Sequence, residues 1–196
     1  MMRRDLAFEA LAAVRGDAIV VSTYSSAFEW ERVAPSPLNL PATGAMGQGS
    51  SHGLGLALGL PGHTVIVLDG DGSLLMNLGS LVTIAGAAPP NLIHFVCENG
   101  TYEANGSHPI PARDTVDFAA LARAAGYRHT YTFSELDTFV AELPAIIARP
   151  GPTFGALKLV PGETPLNIDY RWMHGPKTRA DFKRALAPLL STKAHS

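Results

Sequence analysis

The stretch Thr64-Val65-Ile66-Val67-Leu68-Asp69-Gly70-Asp71-Gly72-Ser73 decides the fold. Its apolar run is continuous rather than alternating, which predicts a strand buried on both faces. Gly70-Asp71-Gly72 closes that strand, and a helix is predicted from Ser73 to Ala87, stopped by Pro89 and Pro90. Outward in both directions the same alternation continues. Downstream, residues 91–97 (NLIHFVC) read as a second buried strand, and residues 98–114 as a long Gly- and Pro-bearing loop. A helix over 116–125, a strand over 128–132, a helix over 136–148 and a strand over 154–160 follow. Upstream, residues 18–22 (AIVVS) read as a strand, with helices predicted over 3–15 and 25–33 on either side. The first carries Leu6, Ala10, Leu11 and Val14 on one stripe. Residues 44–59 are Gly-rich, and their second half predicts a helix of small residues packed closely on a neighbour. A Pro-rich segment, 161–176, and a basic helix, 177–190, form the tail. Strands alternating with helices imply an α/β three-layer sandwich with a mostly parallel central sheet, read as a single domain over 1–196.

Composition narrows the function classes. With 46% hydrophobic and 16% charged residues, the 196-residue chain is not a disordered tail. Fifteen basic against 17 acidic residues give a net charge of −2 with no basic stripe, so neither nucleic acid nor an anionic membrane surface is expected. Its apolar runs are too short to span a bilayer. So low a charge fraction is consistent with surface hidden against a partner. A lone cysteine, Cys97, excludes an internal disulfide and any cysteine-based zinc site, and reads as a small apolar residue. That fits a reducing cytoplasm. Met1 to Asp5 runs straight into the amphipathic pattern, without the apolar stretch of a signal peptide.

In parallel sheets ligands bind beyond the carboxyl ends of the strands, and two such ends carry unusual chemistry. Asp71 sits between glycines that let backbone approach a ligand, ahead of a helix whose free N–H groups suit a phosphate. A carboxylate there repels phosphate unless a cation lies between, and Mg²⁺, bound through oxygen, is the natural bridge. Asn99 follows 99 − 71 = 28 residues later, at the next strand end, an interval that fits one helix and one strand. The turn after it offers the Thr101 carbonyl as a third ligand. Taken singly, Gly-Asp-Gly and Asn99-Gly100 are tight turns; their pairing at successive strand ends favours the metal site.

Gly70-Asp71-Gly72-Ser73, followed after a helix and strand by Asn99, resembles the metal-binding signature of thiamine diphosphate enzymes. The wider stretch GDGSLLMNLGSLVTIA…NLIHFVCENGTYEANG is most similar to the sulfopyruvate and phosphonopyruvate decarboxylase branch, and the likeness covers about residues 18–160. The resemblance implies the thiamine diphosphate-binding fold, diphosphate-type domain, with thiamine diphosphate and Mg²⁺ as cofactors. Asp71, Asn99 and the Thr101 carbonyl would hold the metal, and Ser73 would cap the diphosphate. Gly44-Ala45-Met46-Gly47 matches the segment that grips the aminopyrimidine. There the Gly44 carbonyl accepts, the Met46 N–H donates, and the Met46 side chain forces the bent cofactor shape. The resemblance further implies a subunit of a decarboxylase of small 2-oxo acids. A glutamate-bearing, pyrimidine-binding alpha-type subunit would complete the site in a heterotetramer or larger assembly. A carboligase or synthase shares every step up to the last, and a regulatory subunit without catalysis keeps only the fold.

Other motifs have rival readings. Gly49-Ser50-Ser51-His52-Gly53 matches a nucleophile elbow, and Gly53-Leu54-Gly55 with Gly59 resembles a dinucleotide loop, but neither follows a strand. His52 reads either as a proton donor near the cofactor or as a helix-surface residue. Glu103 and His108 lie in the loop after the metal ligands and are candidate acid–base groups or solvated loop residues. Tyr102 directly follows the metal turn and is expected to line the pocket. His94, inside a strand, is expected to be structural. The tail helix reads as a solvated face or a subunit contact. The resembled branch carries a Thr-Ser-Arg-Glu-like segment after its first strand; here Ala27 stands at the arginine position, beside Phe28 and Trp30. If that segment lines the pocket, a substrate less anionic than sulfopyruvate is expected.

Overall fold

The computed structural model describes residues 1–44, 46–162 and 175–191. Six strands form the central sheet: β1 (Ile19–Ser22), β2 (Asn39–Pro41), β3 (Val65–Gly70), β4 (Leu92–Glu98), β7 (His129–Phe133) and β8 (Thr153–Lys158). Their order is β2-β1-β3-β4-β8-β7, and every pairing is parallel. The remaining strands, β5 (Thr101–Tyr102) and β6 (His108–Pro109), make a small antiparallel ribbon. Among the described residues the α-helices are α1 (Arg4–Val14), α2 (Tyr24–Val33), α3 (Gly49–Gly59), α4 (Asp71–Leu75), α5 (Ser80–Ala87), α6 (Phe118–Ala125), α7 (Leu136–Ala148) and α8 (Pro176–Ser191).

Side chains alternate across the sheet, as the pleat requires. Ile19, Val21, Val65, Val67, Leu92 and Val96 enter one buried cluster, with Leu81 and Ile84 of α5 and Phe118 of α6. Val20, Ile66, Leu68, Ile93 and Phe95 enter the other, with Phe8 of α1, Trp30 of α2 and Phe139 of α7. Both faces are covered, giving the three-layer arrangement and explaining why the strands read as unbroken apolar runs.

Three expectations need correction. β2 has no clear signature, being three residues of which the last is Pro41. It forms because Asn39 is gripped from three sides: Trp30 Nε1 and Arg15 Nη1 donate to its Oδ1, each at 3.0 Å, and its Nδ2 donates to the Ala34 carbonyl at 2.9 Å. The helix predicted over 73–87 is two helices, the first opening at Asp71. The break at residues 76–79 is set by a tertiary contact, in which Asn77 Nδ2 donates to the Gly47 carbonyl at 3.0 Å. The loop over 98–114 contains the β5–β6 ribbon, whose turn uses Gly106 at φ 84° and Ser107 at φ 57°.

The tail helix α8 inserts Phe182 into the first cluster, with Leu186 and Leu189 packed against it. Most of the Pro-rich segment, 163–174, lies outside the described residues. The close packing expected of residues 49–59 is present. A Cβ on Gly53 would fall 2.2 Å from Val67 Cγ2, so Gly53→Ala is expected to destabilise the chain by about 1–3 kcal/mol. Urea unfolding checks this; an unchanged midpoint would mean that α3 can lift from the sheet without penalty.

Candidate functional site

In this strand order, β1 leads outward to β2 while β3 leads the opposite way to β4. The point between β1 and β3 is where loops diverge and a crevice opens. One cleft is found there, lined by residues following β1 (Thr23 to Ser26), β3 (Gly70 to Ser73) and β4 (Asn99, Thr101 to Ala104), with Arg4 and Met46.

Asp71 organises it. The residue is 1% exposed. Its Oδ1 accepts from Gly72 N–H at 2.7 Å, and its Oδ2 accepts from Asn99 and Gly100 N–H at 3.0 and 2.7 Å. One carboxylate thereby ties the ends of β3 and β4 together. The Asn99 amide oxygen turns back to accept from Thr101 N–H at 2.8 Å. Ser73 Oγ accepts from Gly47 N–H at 3.1 Å, fastening the 46–48 turn to the segment that follows β3. Gly72 is required by Tyr102, whose ring lies 2.4 Å from where a Cβ would stand. Tyr24, at φ 40°, places an L-residue in the left-handed region beside the cleft, a strain found where surrounding structure imposes it.

Burial pushes the Asp71 carboxyl up to about 6, against the opposing pull of the N–H groups of Gly100, Gly72 and Asn99, and with a push from Glu98 in the same direction as burial. The folded chain therefore holds this proton more tightly than the unfolded one. Stability from this group is greatest below the ordinary carboxylate range and is lost as pH rises through about 6. A cation reverses the balance by favouring the charged form. Among the described residues no cationic side chain pairs with Asp71. The donors available, a carboxylate and an amide oxygen, are those of a hard cation, and no cluster of three or more His, Cys, Asp or Glu that could hold a metal occurs among the described residues. This chemistry fits Mg²⁺ completed by phosphate oxygens.

The structure brings Met46, Gly70, Asp71, Gly72, Ser73, Asn99, Thr101, Tyr102 and Glu103 to one cleft. Gly44 is exposed beside it in sequence, and Ala45 lies outside the described residues. Two acid–base candidates are not brought there. His52 is an exposed residue of α3 whose Nδ1 is 2.8 Å from the Gln48 carbonyl, one helical turn away. His108 is exposed on β6, opposite Tyr102 in the ribbon. Glu103 does reach the cleft, but as half of an ion pair: Arg4 Nη1 donates to its Oε2 at 2.6 Å, and Gly162 N–H donates to its Oε1 at 2.8 Å. The nucleophile-elbow reading also fails, because residues 49–53 lie within a helix and Ser50 Oγ donates to Ser80 Oγ at 2.8 Å. Ala27 is a fully buried residue of α2, and the cleft is lined by Ser25 and Ser26 instead. The expectation of a less anionic substrate loses its basis, since residue 27 does not line the cleft.

Thr23, Ser25 and Ser26 line the cleft after β1, where the strand-end rule points. Arg4 carried no signal, lying 99 residues from its partner. Beneath the cleft, Asp69 Oδ1 accepts from Thr23 Oγ1 at 3.2 Å and from Gly70 N–H at 3.0 Å. Its Oδ2 is 3.5 Å from His94 Nε2, and His94 Nδ1 is 3.2 Å from the Tyr127 hydroxyl. His94 is thus a fully buried residue of the sheet. Cys97 is buried at the cleft floor, and burial pushes its thiol up to about 11, so it is a neutral group at physiological pH.

A switch-point cleft lined by a buried carboxylate and glycine turns is the ligand site of a doubly wound α/β domain. The family model "Thiamine pyrophosphate enzyme, C-terminal TPP binding domain" matches residues 21–155. The chain belongs to this family of thiamine pyrophosphate enzymes. It is 36% identical over 169 residues to the sulfopyruvate decarboxylase subunit beta of Methanothermobacter thermautotrophicus, covering 86% of this chain and 88% of that protein. It is 40% identical over 153 residues to the phosphonopyruvate decarboxylase of Streptomyces viridochromogenes, covering 78% of this chain but only 38% of that one. Among solved structures, the thiamine diphosphate-dependent 4-hydroxybenzoylformate decarboxylase of Rhodococcus jostii superposes with a TM-score of 0.70 at 25% identity, over 83% of this chain and 33% of that one. Among the described residues no helix is long and apolar enough to cross a membrane.

Proposed function

We propose that this chain is the diphosphate-binding subunit of a thiamine diphosphate- and Mg²⁺-dependent decarboxylase of small 2-oxo acids, working with a pyrimidine-binding partner subunit in the cytoplasm. The observation that carries the proposal is Asp71: a buried carboxylate without a cationic partner among the described residues, bridging two strand ends in a cleft that fits a hard cation. The match to beta subunits over most of their length supports the division into two chains.

In this reading Asp71, the Asn99 amide oxygen and the Thr101 carbonyl hold the metal. Ser73 and the N–H groups around Gly72 face the diphosphate, and Tyr102 walls the cleft against Gly72. Gly44, Ala45 and Met46 take the aminopyrimidine, with the Met46 side chain supporting its bend. When bound, thiamine diphosphate supplies the carbon nucleophile and the electron sink that decarboxylation needs. The chain's own part is to bind, orient and desolvate.

The test is a panel of 2-oxo acids, including sulfopyruvate, phosphonopyruvate and benzoylformate, given to the chain coexpressed with its partner. Release of CO₂ with an aldehyde is expected. A ligated product in place of the aldehyde would make the complex a carboligase, and absence of cofactor binding would leave a regulatory subunit.

A pH dependence follows from Asp71. Stabilisation by Mg²⁺ and cofactor is expected to fade as pH falls from about 7 to about 5, with a midpoint near 6 at limiting Mg²⁺ that moves lower in excess metal. Thermal shifts measured across this range check it. A flat profile would place the metal on other groups.

A further inference from the structure

Arg4 has no place in the assignments above, yet it lines the same cleft as Asp71. The chain delivers it there by an indirect route. Met2 bridges to Leu159 at the end of β8, and the first turn of α1 then brings residue 4 over the ends of β4 and β8. Its side chain is 11% exposed and that of its partner Glu103 is 3% exposed. Glu103 Oε2 accepts from Nη1, and its other oxygen accepts from Gly162 N–H. Arg4 Nε is buried with no acceptor among the described residues. A buried guanidinium donor without an acceptor is costly, which marks the place where a ligand oxygen would satisfy it. The charge balance points the same way. Among the described residues the cleft lining contains one Arg or Lys, Arg4, against two carboxylates, Asp71 and Glu103. A multiply charged anion entering such a lining needs more than one divalent cation's charge to offset it, and guanidinium is the group best shaped to grip phosphate or sulfonate oxygens.

We propose that Arg4 is an oxyanion-binding residue of the cleft, held in position by Glu103 so that its remaining donors meet a ligand oxygen. The proposal rests on the cofactor reading given above, and the oxyanion has two possible sources: the cofactor's terminal phosphate or the acidic group of the substrate.

The test compares the wild-type chain with Arg4→Lys and with the double variant R4Q/E103Q, each in the complex with its partner. The double variant removes both charges together, so that neither is left buried alone. Calorimetry with Mg²⁺–pyrophosphate and with Mg²⁺–thiamine diphosphate reads the cofactor arm. The ratio of KM values for sulfopyruvate and 2-oxobutanoate reads the substrate arm. The expected result is about tenfold or greater weakening in one arm for R4Q/E103Q, with partial retention in Arg4→Lys and a melting temperature near that of the wild type. Weakened pyrophosphate and cofactor binding assigns the phosphate; a selective rise in the sulfopyruvate KM assigns the substrate. Wild-type values in both arms for R4Q/E103Q overturn the proposal. If the wild type binds pyrophosphate but not thiamine diphosphate, the cofactor reading fails and Arg4 is judged on pyrophosphate alone. If it binds neither, both fail.

Discussion

Asp71→Ala is expected to abolish Mg²⁺-dependent binding of thiamine diphosphate. Two losses coincide in this substitution. The carboxylate that would hold the cation disappears, and the N–H groups of Gly72, Asn99 and Gly100 lose their common acceptor. The second loss frees the β4 turn, so Asn99 is also released from its place beside β3. In the unliganded chain the net effect is smaller. Losing hydrogen bonds to a charged acceptor destabilises by about 1.5–3 kcal/mol, while removing a carboxylate that burial has pushed up to about 6 relieves a penalty. The informative measurement is therefore the increment that ligand adds. For a native protein with cofactor at a hundredfold excess over its dissociation constant, that increment is about 2.7 kcal/mol. It should vanish in Asp71→Ala and in the similarly sized Asp71→Asn. Wild-type affinity and wild-type Mg²⁺ dependence in both variants would falsify the assignment of this cleft.

Turnover is expected to require a second chain. Purified by itself, this chain should release no CO₂ from any 2-oxo acid, and addition of its pyrimidine-binding partner should restore activity. The physical basis is the composition of the cleft. Among the described residues its ionisable lining consists of Arg4, Asp71, Cys97, Glu103, Tyr24 and Tyr102. Arg4 and Glu103 are bound to each other, Asp71 is committed to the N–H groups at the strand ends, and Cys97 is held neutral. His52 and His108, the groups best suited to proton transfer near neutral pH, are absent from it. A proton donor for the product and a group acting on the aminopyrimidine would then come from the partner. Robust decarboxylation by this chain with no partner present would show that one of its own residues does this work.

Much of this was legible before any coordinates. The central strands announced themselves because a strand covered on both faces has no polar side to show, and 65–70 and 92–98 carry such runs. Asp71 and Asn99 could be paired from spacing alone, since a βαβ unit has a nearly fixed length and adjacent parallel strands align their carboxyl ends. The small-residue helix 49–59 was legible for a similar reason: glycine and alanine in a helix signal a close neighbour. Elements held by distant partners were not legible. β2 exists because Trp30, Arg15 and the Ala34 carbonyl all bind Asn39, and the break between α4 and α5 exists because Asn77 reaches Gly47.

The sequence by itself determined the layer architecture, the strand ends that carry the chemistry and the family to which the chain belongs. The first two depend on local periodicity and on turn residues whose spacing the backbone dictates, and the third on the resemblance carried by Gly70-Asp71-Gly72-Ser73 and Asn99. Only the tertiary structure decided which ionisable groups share the cleft. It carried His52 and His108 out to solvent, buried Ala27, converted Glu103 from a candidate acid into the partner of Arg4, and set an N-terminal arginine beside Asp71. The physical reason is that a side chain's electrostatic surroundings are fixed by contacts across the whole chain, 99 residues for Arg4 and Glu103, and no local pattern encodes a contact of that range.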